Sequence, residues 1–124
     1  MNNEKDPNGL NQHAPGAKLD NGKLRVHLVL GAFAHALSAV SEVGTFGANK
    51  YSDNGWLQVE NGVDRYSDAM LRHYLKECSG EVNDPDSGIH HAAHLAWNAL
   101  ARLELMCRNQ DKVERRYAQE NLHL

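Results

Sequence analysis

The stretch Gly88–Cys107, "GIHHAAHLAWNALARLELMC", decides how the chain folds. At about 100° per residue it reads as one helix. Ile89, Ala92, Ala96, Leu103 and Cys107 fall on one side as an apolar stripe. His91, His94, Asn98 and Arg102 fall on nearly the opposite side, edged by Leu95 and Leu105. A helix that only covers a core carries Lys and Glu on its far face, not imidazoles and an amide. The expectation is that the apolar stripe meets the core. The polar stripe then lines a ligand pocket or a subunit interface. A buried polar group without a partner costs roughly 1–3 kcal/mol. Three such groups would consume much of a stability of about 5–15 kcal/mol. The plain alternative is a solvated surface face; Leu95 and Leu105 at its edges argue against it.

Upstream, "YSDAMLRHYLKE" (66–77) belongs to a second helix expected over about Asp64–Ser79 and closed by Gly80. "EVNDPDSG" (81–88) is a loop in which Asp86 or Ser87 can cap the helix that follows, expected over about Gly88–Arg108. Leu30, Phe33, Leu37 and Val40 recur at three- and four-residue steps, which predicts another helix from about Leu28 with Gly47 as its C-cap. "YSDNGWLQVENG" (51–62) carries an Asn-Gly at each end and reads as a loop or small hairpin. Residues 1–22 are rich in Asn, Gly and Pro and read as a flexible arm before a single helical domain over 23–124. The charged tail from residue 111 either continues the last helix or frays. Three main helices and no convincing strand pair give an all-α bundle.

The chain has 124 residues, 41% of them hydrophobic, and a formal charge of −3, as expected of one soluble, slightly acidic domain. No net basic character points to nucleic acid. Cys78 and Cys107 have no CxxC or finger spacing, which excludes a disulfide framework and fits a reducing cytoplasm. The longest apolar run, Leu28–Val40, contains His35 and is too short for a membrane span.

Candidate chemistry follows from residue types. His90 and His94 (i,i+4), or His91 and His94 (i,i+3), can reach one metal ion. The sequence has no HExxH and no HD dyad. A hard cation needs carboxylates, and Asp68, Glu77, Glu81, Asp84 and Asp86 are available. Asp68 and Arg72 stand i,i+4, either as a surface ion pair or as a phosphate grip with Asp68 orienting the guanidinium. "FGANKYSDNGW" (46–56) offers Lys50, Tyr51 and Trp56, a cation beside flat rings, as a nucleotide requires. There is no Walker loop and no GxGxxG.

Taken in order, "DNGKLR" (20–25), "TFGANKY" (45–51), Trp56, "DAMLRH" (68–73), "GEVNDPDSG" (80–88) and "HHAAHLAWNAL" (90–100) resemble the phage dATP/dGTP diphosphohydrolase N-terminal domain family. The resemblance covers about Asp20–Leu105. It implies hydrolysis of purine deoxynucleoside triphosphates to monophosphate and pyrophosphate. It also implies a link to the MazG-type pyrophosphatases, which are all-α, oligomeric and Mg²⁺-dependent. Those enzymes hold Mg²⁺ with ExxE and ExxD. Here there is no ExxE, the early ExxD is Glu81–Asp84, and the third helix carries HxxH at His91 and His94.

The resulting expectation is a phage protein that binds a purine nucleotide, is a homo-oligomer and works in the host cytoplasm. In the enzyme version Arg72, Lys50 and Arg25 take the phosphates and Trp56 or Tyr51 the base, with His73 and Asn98 beside the nucleotide. Glu81, Asp84 and Asp68 hold Mg²⁺ or Mn²⁺, and His91 or His94 acts as general base. The alternatives are a non-catalytic module that sequesters a nucleotide, such as a host-defence signal, and a structural oligomerisation domain.

Overall fold

The computed structural model describes residues 3–121, with side chains through Gln110. It is all-α: α1 (Val26–Gly31), α2 (Ala34–Lys50), a 3₁₀ turn (Gly55–Gln58), α3 (Gly62–Cys78) and α4 (His91–Asn121). Among the described residues the sole β feature is an isolated antiparallel bridge, Asn83–His90. None of these helices is long and apolar enough to cross a membrane.

The chain divides into two compact units, Met1–Ala34 and His35–Leu124. In the first, the Asp6 carboxylate accepts the backbone N–H groups of Asn8 (2.7 Å), Lys18 (2.8 Å) and Leu10 (3.3 Å). Lys23 pairs with Glu4 at 3.2 Å. Arg25 and α1 belong to this unit.

The second unit is built on α3 and α4, which pack as an antiparallel pair. His73 meets His91, Ser67 meets Arg102, and Gly62 lies against Leu105. Asp64 in the first turn of α3 and Lys76 in its last complement the helix dipole. The end at Gly80 is as expected: Gly80 N–H donates to Glu77 O (3.0 Å) and Glu81 N–H to Lys76 O (3.1 Å), a Schellman closure that Gly80 permits with φ +97°. The two Asn-Gly pairs make turns rather than a hairpin. Asn54 and Asn61 both adopt left-handed φ (57° and 55°), which starts the 3₁₀ turn and α3 respectively.

Four sequence expectations need correction. The helix from Leu28 is two helices, broken at Ala32–Phe33. Gly47 does not end α2, which runs on to Lys50. Neither Asp86 nor Ser87 caps α4, which begins at His91 after the Asn83–His90 bridge. Asp84 Oδ1 instead accepts the N–H groups of Asp86 (2.7 Å) and Ser87 (3.2 Å), so the carboxylate fixes the loop.

The fourth correction is the largest: α4 faces the other way. His91, His94 and Asn98 are buried, at 2%, 8% and 6% exposure, beside Ala93 and Ala101. Leu103 is 54% exposed, and Ala92 and Cys107 are exposed too. The inner face is the one that carries small residues. Ala93, Ala101 and Gly62 let the two helices approach, and the imidazoles and amide enter the seam and pair there. Leu100 and Leu103 are left outside, while Leu105 packs against Gly62 in the seam.

Candidate functional site

A cleft of about 1370 Å³ opens between the C-terminal half of α2, the 3₁₀ turn and the seam of α3 and α4. All of its lining belongs to the second unit.

One wall is aromatic. Trp97 stands edge-to-face with Trp56 (5.5 Å between centroids) and with Tyr66 (5.6 Å), and Trp56 with Tyr66 (6.2 Å). Such pairs fix one another's orientation. The Tyr66 hydroxyl donates to the Trp56 carbonyl (2.9 Å), tying α3 to the 3₁₀ turn. α2 approaches this wall at Gly44, where a Cβ would lie 3.2 Å from Trp97 Nε1. Glycine is what permits the indole to sit there.

The charged rim has two cations in different states. Lys50 Nζ pairs with Asp86 Oδ2 at 2.9 Å and lies 5.5 and 5.8 Å from the ring centroids of Tyr51 and Phe46. Its hydrogen bond to Asp86 holds its pKa above the ordinary lysine value. Arg72 is exposed and lines the cleft without a hydrogen bond or ion pair among the described residues, and so does Asp68.

The floor is a histidine cluster. His73 stacks on His94 (centroids 4.5 Å, planes 10° apart) and its Nδ1 hydrogen-bonds His91 Nδ1 at 2.8 Å. Asp84 Oδ2 lies 3.8 Å from His73 Nδ1. Burial, and then the neighbouring His94, push the His73 pKa down to about 4. Burial also lowers His94. Both rings are therefore neutral at neutral pH. Burial works against the Asp84 carboxylate, but the Asp86 and Ser87 N–H groups outweigh it, with help from His94 and His73, and hold Asp84 below the usual range. Ser87 Oγ accepts the Ile89 N–H (3.1 Å) and shares a 2.6 Å bond with His94 Nε2. Asn98 Nδ2 donates to the His94 carbonyl at 2.8 Å, and Arg102 Nε to Ser67 Oγ at 2.8 Å. His91 Nε2 is buried with no hydrogen-bond partner; Glu81 Oε1 lies 3.5 Å away, within ion-pair range but not bonded.

Of the residues singled out from sequence, Lys50, Tyr51, Trp56, Asp68, Arg72, His73, Asp84, His94 and Asn98 all line this one cleft. His91 and Glu81 stand behind it, reached through His73 and Asp84. Arg25 lies in the other unit. Sequence reasoning missed Tyr66, Trp97 and Ser87. The available signal for Trp97 was Gly44, a glycine inside a helix that marks a close approach.

The expected Mg²⁺ set fits poorly. Mg²⁺ asks for oxygen donors in octahedral array. Asp68 takes no part in the histidine cluster, and Glu81 and Asp84 each face an imidazole.

Comparison with known proteins bears on the same segment. The family described as "dATP/dGTP diphosphohydrolase, N-terminal" matches residues 13–115. A protein of Salmonella phage PMBT28 named dATP/dGTP diphosphohydrolase is 28% identical over 103 residues, covering 83% of this chain and 34% of the relative. The chain thus spans about a third of the length of that curated relative. No solved structure matches. With most of its length matched, and every element of the cleft within the match, the chain belongs to the dATP/dGTP diphosphohydrolase N-terminal domain family.

Proposed function

We propose that the cleft binds a purine deoxynucleoside triphosphate and that the chain hydrolyses it, with water, to the monophosphate and pyrophosphate. One observation carries the reading: a single cleft is lined at once by an aromatic wall, an unpaired guanidinium and a neutral imidazole. Trp56 and the exposed Tyr51 offer flat faces for the base. Arg72 grips phosphate oxygens by its planar fork. Lys50 joins it by exchanging Asp86 for phosphate. Asn98 and His73 shape the floor beneath the nucleotide. His94, unprotonated at neutral pH, accepts the proton of the attacking water. His91, behind the cleft wall, acts by positioning His73. The name of the phage relative supports the substrate class.

The outward leucines support a homo-oligomer. Leu71, Tyr74 and Leu75 line one side of α3, and Leu100, Leu103 and Met106 one side of α4, all 39% exposed or more. Such apolar stripes mark contact surfaces. A nucleotide substrate agrees with work in the host cytoplasm.

The test is a product assay with dATP, dGTP, dCTP and TTP in Mg²⁺ and in Mn²⁺. The expected result is purine monophosphate with equimolar pyrophosphate. Release of single phosphate, or preference for pyrimidines, contradicts the proposal. Tight purine binding without turnover replaces it with the sequestering module.

A further inference from the structure

We propose that His73, Asp84 and His91 form a site for one divalent transition-metal ion of the Zn²⁺ and Co²⁺ class, and that Glu81 is the hydrogen-bond partner of the His91 ligand.

The three side chains each offer one ligand atom, and these atoms lie within 4.8 Å of one another. Metal–nitrogen and metal–oxygen distances of about 2.0–2.2 Å put neighbouring ligand atoms roughly 3.0–3.5 Å apart. The His73 and His91 Nδ1 atoms stand at 2.8 Å, and His73 Nδ1 and Asp84 Oδ2 at 3.8 Å. Shifts of a few tenths of an ångström bring both pairs to that spacing.

A second observation is independent of the spacing. His91 Nε2 is buried and unsatisfied, and its nearest carboxylate, Glu81 Oε1, is 3.5 Å away. An imidazole that binds metal through one nitrogen characteristically donates its other N–H to a carboxylate, which fixes the tautomer and raises its basicity. With Nδ1 on the ion, His91 Nε2 must carry its proton, and Glu81 is the carboxylate within ion-pair range of it. The orphaned atom and the nearby acid then have one explanation.

The frame is also built before any ion arrives. His73 comes from the middle of α3 and His91 opens α4. Asp84 comes from the loop between, clamped by Asp84 N–H to Ile89 O (2.8 Å), Gly88 N–H to Asp84 O (2.7 Å) and His91 N–H to Val82 O (2.8 Å). A site held by elements whose positions are fixed loses little on binding.

Two imidazoles and one carboxylate select the metal class. Nitrogen donors suit Zn²⁺ and its neighbours in the first transition row, whereas Mg²⁺ takes oxygen. Three protein ligands leave further coordination positions open. His73 and Asp84 line the cleft while His91 stands behind them. The open side therefore faces the cleft, where water or a phosphate oxygen can enter.

The proposal is tested without nucleotide, so its outcome is separate from that of the hydrolysis reading. Full-length protein without a histidine tag is stripped with chelator, dialysed and titrated with CoCl₂, and visible absorption reads the coordination. One equivalent of Co²⁺ is expected, displaced by Zn²⁺ and not by excess Mg²⁺. His91→Ala and Asp84→Asn should abolish the stoichiometric signal. Glu81→Gln, which keeps all three ligands, should weaken Co²⁺ about tenfold or more. His90→Ala removes an exposed imidazole outside the cluster and should change nothing. Circular dichroism of each variant checks the helices. Absence of Co²⁺ uptake by the wild type, displacement by equimolar Mg²⁺, or full binding by both His91→Ala and Asp84→Asn overturns the proposal. Wild-type affinity in Glu81→Gln overturns the part assigned to Glu81.

Discussion

Replacing Arg72 with alanine separates a phosphate contact from a structural one. Arg72 is exposed, lines the cleft and has no partner among the described residues, so its removal leaves nothing buried and unpaired. Surface changes of that kind stay within about 0.5 kcal/mol of wild-type stability. Hydrogen bonds to charged groups contribute about 1.5–3 kcal/mol each. Losing a guanidinium–phosphate grip worth roughly 3 kcal/mol weakens binding on the order of a hundredfold. Arg102 is the internal control. Its Nε donates to Ser67 Oγ at 2.8 Å in the helix seam, and it is absent from the cleft lining. Arg102→Ala should therefore lower stability by about 1 kcal/mol and leave the dGTP Kd unchanged. Calorimetric titration with dGTP and urea unfolding of both variants give the two numbers. An unaltered dGTP Kd in Arg72→Ala would refute the assignment and return Arg72 to the solvated surface.

Three further outcomes follow from the same geometry. The folded-state pKa of His73 is about 4 against 6.5 unperturbed, so between those values the unfolded chain binds more protons. Its contribution is full above pH 6.5 and is lost as pH falls toward 4; the ceiling is about 3 kcal/mol, reduced by solvent screening at a half-buried ring. Urea unfolding of metal-free protein should show this decline, His94 should add to it, and His73→Gln should flatten it. The exposed stripes of α3 and α4 predict a dimer or larger oligomer by light scattering at micromolar concentration, and a monomer there removes that expectation. Gly44→Val places side-chain atoms against Trp97 Nε1 and should weaken nucleotide affinity while the helical dichroism persists; unchanged affinity would show that α2 does not shape the site.

Local signals were legible where local chemistry decides. Gly80 announced the end of α3, and the two Asn-Gly pairs announced turns, because left-handed backbone is required at those points. The polar stripe of α4 was visible as an anomaly, but its direction was not. A helical wheel ranks faces by polarity, and here Ala93, Ala101 and Gly62 decided the packing by size. The cluster of His73 with His91 and the wall of Tyr66 with Trp97 join residues from different helices. No spacing along one helix encodes those meetings; the antiparallel register of α3 on α4 does. Gly44 and Gly47 each disfavour a helix by about 1 kcal/mol, yet α2 passes through both. At Gly44 the missing side chain makes room for Trp97.

The claim that a purine nucleotide occupies the cleft has a direct optical test. The chain contains two tryptophans, Trp56 and Trp97, and both line the cleft. Tryptophan emission is therefore a report on that site alone. Titration with dGTP or dATP should change the emission saturably, dCTP should do so far more weakly, and Arg72→Ala should lose the response. Emission that stays constant through the dGTP and dATP titrations, with no calorimetric heat, would contradict the account.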